Sequence, residues 1–413
     1  MSYPDALAVD PATMQAYVET LGRLGATTSG GVTRTQYDPA WVAARDTVAA
    51  WFAEAGLEVR TDAVGNVFGR LAGTEPSGTV LTGSHLDSVV NGGRYDGALG
   101  IHAGLAALRA LQDACGPPRR ALEVVAFCEE ENSRFHANYF GSRALLGLVS
   151  PDEPERLTDA DGVTLAEAMR TIGLDPARCA DAARTDIESF VEMHIEQGRI
   201  LADEGLQLGV VTAIVGLSWQ IFTVTGRQDH AGTTPMHLRH DALQGAALMT
   251  TAVREATERV GRPAVATTGR FDVRPGGGNI VPREVEFTLD LRHPDDDTRR
   301  ALLAEIEDAC RRVATERGLD LAIETAWDES AARMDADLRR LIADTAAASG
   351  HTCQEMPSGA GHDSQVMSRQ LPTAMLFVPS VEGRSHCPEE YTPPEDCARG
   401  ATVLARTLHR LAY

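Results

Sequence analysis

Apolar and polar positions recur along this chain with two different periods, and the places where one gives way to the other mark its elements. From Pro11 to about Leu57 the spacing is helical, interrupted by the polar, glycine-rich TTSGGVTRTQYD, which reads as a loop. LEVRTDAVGNVFGRLAG predicts a pair of strands turning at Gly65-Asn66. The apolar run TVLTG is a strand entering TGSHLDSVVNGGRYDG, and the helical pattern DGALGIHAGLAALRALQDA leaves it. ALEVVAFCEEENSRF is continuously apolar from Leu122 to Cys128, as in a strand buried on both faces, and then carries three successive carboxylates.

Residues 150–188 are charged and broken by Pro151, Pro154 and Pro176, with one amphipathic helix at LAEAMRTIG; SFVEMHIEQGRIL reads as a short strand or helix. From about Ala213 the order changes. GLSWQIFTVTG is a strand, HLRHDALQGAALMTTAVREATERV a helix, AVATTGRFDV and EVEFTLDLRH strands, TRRALLAEIEDACRRVATERG a helix and LDLAIETAW a strand. That β-α-β-β-α-β succession is the ferredoxin-like unit, self-contained within 213–328. Helical DADLRRLIADTAAASG, strand TAMLFVP and a terminal helix from Asp396 to Leu411 return the chain to the first part. The expected architecture is α/β: a mixed-sheet domain of residues 1–212 and 329–413 with helices on both faces, and an inserted domain at 213–328.

Length agrees with this division, because 413 residues exceed the size at which one core usually stops growing. A net charge of −21 without a long Lys/Arg run argues against nucleic-acid and anionic-membrane partners, so an anionic substrate would need a local cationic pocket. Seven scattered cysteines, odd in number and without Cys-x-x-Cys, suggest neither a disulfide framework nor a thiolate zinc site, and fit a reducing cytoplasm. The opening MSYPDALAVD lacks the basic and apolar regions of an export signal, and no apolar run approaches bilayer length. A soluble cytoplasmic protein is expected.

The candidate chemistry gathers at strand ends. His85 and Asp87 fall at the end of the TVLTG strand and Asp96 just before a helix, at the carboxyl edge where open α/β sheets bind ligands. A lone His-x-Asp is ordinarily a surface pair. Glu129, Glu130 and Glu131 follow a buried strand, where three like charges repel unless cations neutralise them.

GSHLDSVVNGGRYDG, EEENSRF, HIEQG, DHAGTTPM, GGGNIVP, DLRH, SGAGHDSQ and GRSHCPEE, in this order from about 80 to 390, resemble the dinuclear metallohydrolases of the aminoacylase and carboxypeptidase type. Within them the chain resembles the branch of N-carbamoyl-L-amino acid hydrolases, β-ureidopropionases and allantoate amidohydrolases. The resemblance implies two divalent ions per subunit, with His85 and His194 each on one side, Asp96 bridging, and Glu131 and His386 completing the set. Imidazole and carboxylate donors suit Zn, Mn, Co or Ni better than Ca or Mg. Asp87 would fix the His85 tautomer, and Glu130 would be the general base. Aligning EEENSRF so that its last Glu is the ligand sets this register; a shift by one would place Glu129 and Glu130 in those roles.

The resemblance further implies that Arg292, on EVEFTLDLR read as an edge strand, holds the substrate carboxylate as a bidentate fork, the structural alternative being a surface pair with Asp290. Gln197, His230, Asn279 and the backbone at Gly361 would hold the ureido group, the developing oxyanion or the carboxylate. His230 would reach the partner subunit's site, making 213–328 a lid and dimerisation domain with hinges near 213 and 328. His362, Asp363, His102 and His136 read as supporting or structural residues. The implied reaction is hydrolysis of N-carbamoyl-L-amino acids to the amino acid, carbon dioxide and ammonia, with allantoate or N-carbamoyl-β-alanine as alternative substrates. A non-catalytic, metal-dependent ligand-binding protein is the reading from another class, and Glu130 argues against it, since binding alone needs no base.

Overall fold

The computed structural model describes residues 7–76 and 78–413. Residues 1–6, which carry part of the segment read for an export signal, lie outside the described residues. The chain divides into two compact units. The first runs up to Thr212 and resumes over Met334–Met356 and Ala360–Tyr413; the second is Ala213–Arg333 with Pro357–Gly359. The insertion ends later than the 328 read from the sequence. Ala332 and Arg333 pair antiparallel with Ile214 and Ala213, so the chain's exit from the second unit is zipped to its entry.

In the first unit, helices α1 (Pro11–Leu21) and α2 (Pro39–Glu54) each begin with proline at the first helical turn after an aspartate cap. Strands β1 (Glu58–Thr61), β2 (Val67–Leu71), β3 (Thr79–His85), β4 (Ala121–Phe127), β5 (Ile187–Ile195) and β6 (Leu208–Ile214) precede the second unit. Helix α3 (Ala98–Cys115) joins β3 to β4.

The second unit comprises β7 (Gly216–Thr225), α4 (Ala242–Val260), β8 (Val265–Thr267), β9 (Phe271–Arg274), β10 (Glu284–His293), α5 (Asp296–Arg317) and β11 (Asp320–Glu329). Back in the first unit come α6 (Ala336–Ala348), β12 (Thr373–Val378) and α7 (Pro394–Ala412).

The larger sheet runs β1-β2-β4-β3-β5-β12-β6. Its central strands β4, β3, β5 and β12 are parallel neighbours. β3 and β4 are buried at every position, which is why their sequences show no alternation. The SFVEMHIEQ segment, open to either reading from sequence, is strand β5, and its parallel pairing with β3 and β12 fixes it there. Parallel strands end at one edge of a sheet. His85 closes β3, Glu129–Glu131 follow β4, His194 lies near the end of β5, and the loop carrying His386 follows β12.

In the second unit the sheet order is β9-β10-β7-β11, with β8 also paired to β10, all antiparallel. Apolar residues of α4 and α5 share one core with the sheet, including Phe222, Phe287 and Leu302. AVATTGRFDV, read as one strand, is two, and at the break Arg270 N–H donates to Thr288 Oγ1 at 3.1 Å. β10 is interior, flanked by β7 on one side and β8 and β9 on the other, so Arg292 does not lie on an edge strand. Among the described residues no helix is long and apolar enough to cross a membrane.

Candidate metal centre

Asp96 is the hub of the first unit's carboxyl-end cluster. His194 Nε2 lies 3.1 Å and His85 Nε2 3.6 Å from its Oδ1. His386 Nε2 lies 3.1 Å from Oδ2 and 3.5 Å from Glu131 Oε2. Two groups of three donors therefore share one carboxylate, His85-Asp96-His194 and Asp96-Glu131-His386, with the donor atoms of each within 4.8 Å of one another. The sequence reading put His85 and His194 on opposite sides; the structure puts both on Oδ1. β3 and β5 are adjacent parallel strands, so their terminal histidines stand side by side, ring centroids 6.0 Å apart.

Gly97, between Asp96 and α3, has φ +63, and a Cβ there would come within 2.3–2.4 Å of the His85 ring. Glycine is demanded twice, by the backbone and by the approach. The imidazoles are oriented from behind. His194 Nδ1 is 2.9 Å from the Ile195 carbonyl and His85 Nδ1 3.1 Å from the Asp87 carbonyl, which turns both Nε2 atoms toward Asp96. The Asp87 carboxylate, 3.4 Å from His85 Nδ1, also accepts from Glu130 N–H at 3.0 Å and Glu131 N–H at 3.1 Å. It thereby ties the end of β4 to the end of β3, a role its spacing does not reveal.

The three glutamates separate cleanly. Glu129 is buried, and its oxygens accept from Asn132 N–H and Phe140 N–H, each at 2.9 Å, clamping both ends of the 132–140 loop. It is committed to backbone, and of the three it is Glu131 whose carboxylate meets His386. Burial pushes Glu130 well above the usual carboxyl range, helped by Glu131, Asp363 and Asp87 and opposed by His85. Burial, with Asp96 beside it, pushes Glu131 up to about 8. Asp96 is held well below its usual value: burial opposes this, but hydrogen bonds from His194, His386 and His85 prevail. His386 is raised to about 9, chiefly by Asp96.

These residues fit divalent cations. The donor set is imidazole and carboxylate, the carboxyls are buried against one another, and Glu131 Oε1 is buried without a hydrogen-bond partner among the described residues.

Gln197, whose φ is +57, donates from Nε2 to Asp96 Oδ2 at 2.8 Å, so it reaches the hub carboxylate itself. Gly361 has no room for a side chain, because a Cβ would lie 2.0 Å from the Tyr139 hydroxyl oxygen. Two residues escaped the sequence reading, Glu192 and Glu390. His362, read as a supporting or structural residue, stands edge-on to His194, centroids 4.5 Å apart, beside the fully buried Glu192, which accepts from Ser84 Oγ and Ser364 Oγ at 2.6 Å each. Glu192 precedes His194 by two on a strand, and that period places both on one face. Glu390, in the SHCPEE stretch, accepts from Tyr95 N–H and Asp96 N–H.

His230, Asn279 and Arg292 belong to the second unit. His230 is exposed, pairs with Ile280 across a two-residue ladder, and accepts at Nδ1 from Gly232 N–H at 3.0 Å and Thr233 N–H at 3.2 Å. In the neutral ring its proton is therefore on Nε2. The Asn279 carbonyl accepts from Ala231 N–H at 3.0 Å, which brings these two residues together. Arg292 grips Asp290 through Nε at 2.8 Å and Nη2 at 3.0 Å, and donates from Nη1 to the Gly359 carbonyl at 2.8 Å. The pair with Asp290 that the sequence offered as an alternative is thus present, and it fixes the guanidinium plane.

Residues 81–410 match the family model described as Peptidase family M20/M25/M40. Over 384 residues, 92% of this chain and 93% of the relative, the chain is 42% identical to the N-carbamoyl-L-amino-acid amidohydrolase of Paenarthrobacter aurescens. It is 38% identical over 398 residues, 96% of this chain and 97% of the relative, to the allantoate amidohydrolase of Bacillus subtilis. The crystal structure of a hydantoinase/carbamoylase family amidase from Burkholderia ambifaria superimposes with a TM-score of 0.94 at 36% identity, covering 99% of both chains.

Proposed function

This chain belongs to peptidase family M20/M25/M40, and from that premise we propose that it hydrolyses the ureido C–N bond of N-carbamoyl-L-amino acids, giving the amino acid, carbon dioxide and ammonia. It is a metal-dependent hydrolase of C–N bonds other than peptide bonds. The observation that carries the reading is the pair of donor groups sharing Asp96, with Glu130 tied to the same strand ends through its N–H to Asp87.

His85, His194 and Asp96 Oδ1 would hold one divalent ion, and Glu131, His386 and Asp96 Oδ2 a second, from Zn, Mn, Co or Ni. Such a pair supplies an acidified water and polarises the scissile carbonyl. Glu130 takes the proton of the attacking water and returns it to the leaving nitrogen. Asp87 keeps the His85 ring and the Glu130 backbone in place for this. Arg292, its plane set by Asp290 and Gly359, receives the substrate carboxylate, with Gln197, Asn279 and the Gly361 backbone contacting the rest of the substrate. The partner subunit's His230, protonated at Nε2, donates to the oxygen on which charge develops.

The second unit's strand order, with two helices on one face, supports reading it as a ferredoxin-like lid through which a homodimer forms. Seven cysteines, all free, fit a reducing cytoplasm. Side-by-side turnover of N-carbamoyl-L-methionine, N-carbamoyl-β-alanine and allantoate by ion-loaded enzyme tests the substrate. Preference for either of the latter two would reassign it.

A further inference from the structure

Glu390 is buried in the wall of the centre and reaches two ligand-bearing loops at once. Its Oε1 accepts from Tyr95 N–H at 2.8 Å and Asp96 N–H at 3.0 Å. The Ser385 hydroxyl donates to its Oε2 at 2.7 Å and also lies 3.2 Å from Asp96 Oδ2. One carboxylate thus ties the backbone of Asp96 to the residue preceding His386. Gly93 makes room for it, since a Cβ there would fall 1.9–2.5 Å from the Glu390 carboxyl atoms. Gly93 is not among the positive-φ glycines, so space, not backbone freedom, is what requires glycine there.

The two halves of the centre differ in how they are supported. His85 and His194 stand on adjacent buried strands. His386 stands on a loop, in the left-handed region at φ +56, with its side chain half exposed. Strand pairing cannot hold it against Asp96, and the Glu390-Ser385 clasp spans that gap.

We propose that Glu390, acting through Ser385, is a positioning residue that fixes Asp96 against His386 and so sets the affinity of the Asp96 Oδ2 half for its ion. The inference rests on the ligand assignment above. It accounts for Gly93 and for Ser385 and Glu390, to which the proposed reaction gives neither an ion nor a proton.

The test is Mn(II) binding to the ion-free full chain by equilibrium dialysis, comparing wild type with Ser385→Ala, Gly93→Ala and Ser385→Thr, alongside each variant's thermal midpoint. Ser385→Ala and Gly93→Ala are expected to weaken the second binding step by about 10–100-fold, the range for residues that orient metal ligands, and to leave the first step unchanged. Ser385→Thr, which keeps the hydroxyl, is expected to retain both steps. Should Gly93→Ala fold poorly, Ser385→Ala, which deletes one oxygen, carries the comparison alone. Wild-type affinities in both steps for Ser385→Ala, or equal loss of both steps, would overturn the clasp. Fewer than two ions on the wild type would overturn the ligand assignment and this inference with it.

Discussion

His194 and His386 approach opposite oxygens of the Asp96 carboxylate, each at 3.1 Å, and so divide the centre into two unequal halves. The division makes the consequences of single substitutions specific. His194→Ala is expected to remove one ion per subunit from the Oδ1 side and His386→Ala one from the Oδ2 side, whereas Asp96→Ala should remove both. Metal content measured by mass spectrometry after dialysis checks this. Equal residual content in all three variants would mean that Asp96 does not bridge.

The role given to His230 makes activity depend on a partner. His230→Ala should lower kcat by about 10²–10³-fold, the usual cost of one oxyanion donor. A mixture of His230→Ala and Glu130→Gln chains, each inactive alone, should recover about a quarter of wild-type activity, because half the dimers are mixed and each has one intact site. Mixtures no more active than their components would contradict the shared site.

Arg292 presents a planar fork already aligned by Asp290, and lysine cannot reproduce it. Arg292→Lys should raise KM for N-carbamoyl-L-methionine by about 10–100-fold, corresponding to ~1.5–3 kcal/mol for bonds to a charged group, with a smaller change in kcat. The same variant should barely affect N-carbamoyl-methioninamide, which lacks the carboxylate.

Much of this was legible in the chain because the parallel strands are continuous apolar runs whose ends are marked by His, Asp and Glu. Every proposed ligand sits where such a run stops or where the loop after it returns. Pairing was not legible. That His85 and His194 face the same oxygen follows from β3 lying beside β5, a contact between residues more than a hundred positions apart. The interior place of β10 likewise depends on its pairing with β7 on one side and with β8 and β9 on the other, contacts that no local pattern announces. Glu129 looked equivalent to its neighbours until its two backbone partners appeared, and Glu390 had no periodicity to announce it.

His102, read from the sequence as a supporting or structural residue, is a core residue on α3. It is fully buried, 5.6 Å from the Tyr17 ring and 5.8 Å from the Trp51 ring, with no hydrogen-bond partner for either nitrogen among the described residues. Burial, with the Arg34 guanidinium nearby, lowers it to about 3. The folded chain keeps it neutral while the unfolded chain protonates it below about 6.5, so stability is full above that value and falls as pH drops toward about 3. Between pH 7.5 and 5 this group should cost about 2 kcal/mol, from ~1.4 kcal/mol per pH unit over the 1.5 units below 6.5. His102→Phe should flatten the acid limb of a urea-unfolding series by that amount.

The most direct measurement is ammonia release from N-carbamoyl-L-methionine by ion-loaded wild type and by Glu130→Gln, with metal content determined on the same samples. The wild type should release one ammonia per methionine formed. Glu130→Gln should hold the same two ions and lose at least ~10²–10⁴-fold in rate, the contribution of a positioned base. No ammonia from the wild type, or undiminished turnover by Glu130→Gln, would contradict the account.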